Sequence, residues 1–104
     1  MTFNDACEHI RETANSYGFE VTQDRYSRLP IIRSEELNFF LLEKHDYHHE
    51  AREVTTHIQA SASVRRMGGN PTVEELLNTA DEIRRGAELI RKLQEMSLSF
   101  TETF

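Results

Sequence analysis

A chain of 104 residues is long enough for one hydrophobic core and too short for two. Its 18 acidic against 12 basic residues leave a net charge of −6, which disfavours direct binding to a phosphate backbone. One cysteine excludes an intrachain disulfide, and the longest apolar run, Phe39-Phe40-Leu41-Leu42, is far too short to cross a bilayer. With no apolar leader segment at the N-terminus, these features point to a single cytosolic domain over 1–104.

Phe3, Ala6, Cys7, Ile10, Ala14 and Tyr17 recur at helical spacing and predict a helix over about 3–17. Thr2 is placed to cap it, Asp5 complements the helix dipole, and Gly18 suits a left-handed C-terminal cap. Cys7 lies on the apolar stripe and reads as a small core residue. From Phe19 to Thr22 the period changes to two, the signature of a short strand. Gln23 to Arg28 is polar and turn-like. Pro30 confines Leu29–Ile32 to a strand end or a sheet edge.

Leu37 to Glu43 fits a strand covered on both faces, and a helix over 35–50 is the rival reading. The polar segment His45–Arg52 would connect it to the next element. Val54 to Val64 then alternates, with Thr56, Ile58, Ala60, Ala62 and Val64 on the core side. Thr55, His57, Gln59, Ser61, Ser63 and Arg65 would face outward. Together these strands make a long antiparallel hairpin over about 37–65.

Met67-Gly68-Gly69-Asn70-Pro71 ends the hairpin, and a long helix over about 72–96 follows. Thr72 and Glu75 form a T-x-x-E capping box. Leu76, Ala80, Ile83, Ala87 and Ile90 make a stripe that Leu77, Leu89, Leu93 and Met96 widen, which suits packing on a sheet. Gly86 marks a close approach to another element, and Glu88 is spaced to pair with Lys92. The alternating tail from Leu98 to Phe104 predicts a last strand. The expected fold is α+β: a small antiparallel sheet of three to five strands with two helices packed on it.

Two constellations invite a chemical reading. His45, His48 and His49, with His57 further on, are candidate ligands for a divalent metal, although they lack the H-E-x-x-H pattern. Arg65 and Arg66 precede Gly68 and Gly69 at a helix start, where free N–H groups can hold an anion. Thr72, Glu74 and Glu75 already occupy that positive end, so a structural turn is the stronger reading. No nucleophile, base and acid fall into a recognisable catalytic order.

The expectation is therefore a non-catalytic binding or inhibitor protein that occludes a macromolecular partner. One version is an acidic phage or mobile-element anti-defence protein acting on a nucleic-acid-handling complex. Arg65, Arg66, Gly68, Gly69, His57 and Gln59 are the candidate binding residues, with no cofactor. The alternative is a metal- or small-ligand-binding domain built on the histidines. Small size also favours a homodimer through a sheet edge or a helix face.

Overall fold

The computed structural model describes residues 1–65 and 68–104; Arg66 and Met67 lie outside the described residues. The elements run α1 (Phe3–Ser16), β1 (Glu20–Thr22), β2 (Ile31–Arg33), β3 (Leu37–His48), β4 (Glu53–Val64), α2 (Val73–Met96) and β5 (Ser99–Thr103). The α+β fold has five antiparallel strands in two sheets, one ordered β1-β2 and the other β3-β4-β5.

α1 is closed at both ends by its own residues. Thr2 Oγ1 accepts from the Asp5 N–H at 3.1 Å, and the Asp5 carboxylate accepts from the Thr2 N–H at 3.0 Å. This reciprocal capping box satisfies donors that the first turn cannot pair internally. At the far end the Phe19 N–H reaches the Ala14 carbonyl and the Gly18 N–H reaches Asn15, with Gly18 at φ +85°. That is the Schellman pattern, which needs a residue free to turn left-handed. Ala6, Cys7, Ile10 and Ala14 form the buried face.

The long hairpin forms as a strand pair, and it is longer than the residue types suggest. β3 continues through His45, Asp46, Tyr47 and His48, so the connection shrinks to 49–52, with Arg52 at φ +52°. The polar segment pairs because its backbone finds a full partner: His45 lies opposite Thr56 and His48 opposite Glu53. The expectation that β3 is covered on both faces is corrected. Leu37, Phe39 and Leu41 face the helices, whereas Phe40 and Leu42 stay 47% and 59% exposed on the other side.

β4 keeps the expected alternation through Val64, but on that inner side Ala62 and Val64 are left exposed. The reason lies in α2, whose packing seam is rotated from the expected stripe. Thr79, Gly86, Leu89 and Leu93 are buried, while Leu76, Ala80 and Ala87 lie on an exposed flank. Gly86 sets this geometry. A Cβ there would collide with Leu37 Cδ1 and stand 3.3 Å from Phe39 Cζ, so only glycine lets helix and hairpin approach this closely. Glu88, spaced for Lys92, instead accepts from Arg84 at 2.8 Å. Thr72 Oγ1 accepts from the Glu75 N–H at 3.1 Å, and α2 ends at Ser97 in the left-handed region.

The core gathers Ile10, Ala14, Phe19, Ile32, Ala60, Leu89, Leu93 and Leu98 between the helices and the inner face of the β3-β4-β5 sheet. Two arginines fasten its edges. Arg85 donates to the Tyr17 carbonyl at 2.7 Å and lies over the Phe19 ring, joining α2 to the end of α1. Arg28 covers the rings of Phe3 and Phe100 and reaches Glu102 at 2.6 Å and Glu43 at 3.2 Å. The Glu43 contact lacks hydrogen-bond alignment, so that oxygen is compensated by charge alone.

Candidate interaction surface

Antiparallel pairing fixes which side chains share a face, because residues directly opposite point the same way. Both helices lie against the face that carries Leu41, Ala60, Thr56 and Phe100. The other face carries Phe40, Leu42, Lys44, Asp46 and His48 from β3, with His57, Gln59, Ser61 and Ser63 from β4. β5 adds Ser99, Thr101 and Thr103. Among the described residues no helix covers this outer face.

The outer face is graded. Near Leu37 it is apolar, with Phe40 beside Ser61 and Leu42 beside Gln59. These two side chains border a shallow groove at the β3 edge, lined also by Leu29, Pro30, Ile31 and Ile32. Towards the 49–52 turn it becomes polar. His57 Nε2 and Asp46 Oδ2 are 3.1 Å apart, and Thr55 Oγ1 is 3.0 Å from Thr101 Oγ1. Single exposed leucines are ordinary on a protein surface. Adjacent aromatic and aliphatic side chains on the bare face of a sheet are the less ordinary feature.

The candidate binding residues divide accordingly. His57, Gln59 and Arg65 fall in the odd-numbered row that β4 turns outward. Gly68 and Gly69 lie beyond the sheet, Gly69 at φ +76°, with open space where their Cβ atoms would be. Arg66 is outside the described residues. Phe40 and Leu42 were not among the candidates, because the sequence assigns both sides of β3 to the core. Only the topology, with both helices on one side, reveals them.

Strand alternation also disperses the histidines. His45 turns inward, its Nδ1 2.9 Å from Thr56 Oγ1, while His48 and His57 face outward. His49 stands in the turn and stacks on Tyr47. His48 and His57 are four register positions apart, about 13 Å at the usual rise per residue, too far to share one ion. Among the described residues no three His, Cys, Asp or Glu side chains converge as a metal site.

A diagonal row does cross the outer face, with Ser99 opposite His57 and Asp46 reaching His57 from two positions along β3, the composition of a hydrolytic relay. No bond links Ser99 to His57 among the described residues, and the imidazole is 48% exposed on an open face. The row therefore reads as a polar surface ladder. Cys7 is buried, and that burial, its largest influence, pushes its thiol pKa up, which disfavours the reactive thiolate.

No known protein family, curated protein or solved structure matches the chain.

Proposed function

We propose that the protein is a non-catalytic binding protein that occludes a macromolecular partner through the outer face of the β3-β4-β5 sheet. The observation that carries this reading is the exposed pair Phe40 and Leu42 on that face, beside the polar row His57, Gln59 and Ser61. An apolar patch flanked by hydrogen-bonding side chains is the usual anatomy of a protein–protein contact. Among the described residues, no three His, Cys, Asp or Glu side chains converge on this face.

In its most specific form, the partner is a nucleic-acid-handling complex and the chain is an acidic inhibitor from a phage or mobile element. Net charge −6 favours approach to a basic surface. Charge alone is too weak for substitution of a duplex: DNA as long as the 59 Å molecule carries about 35 phosphate charges. Shape and the apolar pair must therefore supply most of the affinity. This sets an expectation for salt: binding weakens moderately as ionic strength rises, far less steeply than for a phosphate-binding protein.

The test is affinity capture from cells in which the protein naturally acts, run in parallel with Phe40→Asp/Leu42→Asp. A stoichiometric protein partner retained by the native chain and lost by the double variant is expected. Recovery of the chain alone, or equal capture by both forms, contradicts the reading.

A further inference from the structure

We infer that two copies of the chain associate by pairing the open edge of β4 with itself, so that one sheet runs through the dimer. The surface concerned is separate from the outer face, so this inference does not rest on the functional reading above.

The edge is defined by its backbone geometry. β5 pairs with β4 only over 53–57, and the last bond between them runs from the Ile58 N–H to the Leu98 carbonyl. Ala60 offers its carbonyl in the same direction and receives the Gln94 side chain at 3.2 Å. The Arg65 N–H, in contrast, bonds Glu36 on the β3 side. Backbone groups alternate sides along a strand, so Ala62 and Val64 present their N–H and C=O groups to the open edge. Among the described residues no strand pairs with that edge beyond Ile58. An unpaired edge of this kind templates further strand addition.

Beneath the edge lies a largely apolar trough formed by Leu37, Ala62, Val64, Ile83, Ala87 and Ile90, with Arg91 and Gln94 at its polar side. Leu76 and Val73, exposed at the start of α2, recur at helical spacing with Ile83, Ala87 and Ile90. A second copy related by a two-fold axis beside Ala62 meets this site with its own edge. Ala62 then pairs with Ala62 of the second copy, and Ala60 with Val64, each pair exchanging backbone bonds. Their side chains stay on the inner side, where the two α2 flanks cover them. The short side chains of Ala60 and Ala62 leave room for this.

The area fits. The chain exposes 7239 Å², whereas a folded monomer of 12.1 kDa is expected to expose about 6,000 Å². Its radius of gyration is 16.2 Å against about 13 Å for a compact domain of this length. This elongated shape leaves ample surface from which to bury the approximately 800 Å² per partner of a stable dimer. A closed two-fold arrangement satisfies the open β4 edge of both copies at once.

Sedimentation velocity of the full chain across the micromolar range tests this. The native chain should sediment at twice the 12.1 kDa chain mass. Ala62→Pro removes an N–H that serves only the open edge, and Ala87→Glu places a charge in the exposed trough. Each should weaken self-association at least tenfold while leaving the far-ultraviolet circular dichroism unchanged. Phe40→Asp, on the outer face, should leave the dimer intact. If Ala62→Pro unfolds the chain, Ala87→Glu decides alone. A native chain that is monomeric throughout overturns the inference and leaves the edge to a foreign strand. A folded Ala87→Glu variant that dimerises like the native chain overturns it as well.

Discussion

Single residues decide how closely the layers approach. Gly86 shows opposing effects whose magnitudes can be compared. Alanine there gains about 1 kcal/mol of helix propensity. It also drives a methyl group into buried Leu37 and crowds Phe39, an overpacking cost of about 1–3 kcal/mol. A net loss of about 1 kcal/mol is expected from denaturant unfolding of Gly86→Ala, and a larger loss from Gly86→Val. Arg28 acts in the opposite sense, drawing a loop onto the sheet. Arg28→Ala removes two carboxylate contacts and two ring contacts and leaves Glu43 uncompensated. Because the arginine side chain is half exposed, about 1–2 kcal/mol of lost stability is expected in the same measurement. Gly86 was legible in the sequence, since a glycine inside a strong helical pattern asks for a reason. Arg28 was not, because its partners come from elements far apart in the chain and no periodicity announces them.

At the scale of the element, both helix starts and the Gly18 turn follow from local chemistry and were readable residue by residue. The capping box also gives α1 a pH dependence. Hydrogen bonds from Thr2, the backbone N–H first, hold the Asp5 carboxyl below its ordinary value of 3.8. A depressed folded-state pKa stabilises above the unfolded value, and that stability is lost as pH falls below about 4 through the folded value. Asp81 is lowered likewise by Arg84 and Arg85 and should act in the same window. Both carboxylates are exposed, so melting temperatures should fall modestly below pH 4, with a smaller drop in Asp5→Asn, whose deficit at neutral pH should shrink on acidification. The hairpin was legible in type and less so in extent. His45, Asp46, Tyr47 and His48 are polar or amphipathic on both faces, so no alternation marks them as strand, and backbone pairing with 53–56 alone decides. The seam of α2 was misplaced for a related reason. Periodicity detects a broad apolar arc, but the choice of buried side depends on Gly86 meeting Leu37, a tertiary contact.

The whole molecule is a rod of 59 × 22 × 21 Å with both helices on one side of the long sheet. Composition forecast a small acidic α+β domain. It could not forecast that one sheet face would stay bare, because Phe40 and Leu42 read as core in any sequence pattern. Binding through that bare face should depend measurably on these two side chains. Two apolar side chains at the centre of an interface contribute on the order of 3 kcal/mol together, or about 100-fold in affinity. The most direct measurement is calorimetric titration of the captured partner with the native chain and with Phe40→Asp/Leu42→Asp at equal ionic strength. The double variant should remain folded and bind at least about 100-fold more weakly. A folded double variant that binds with native affinity would contradict it.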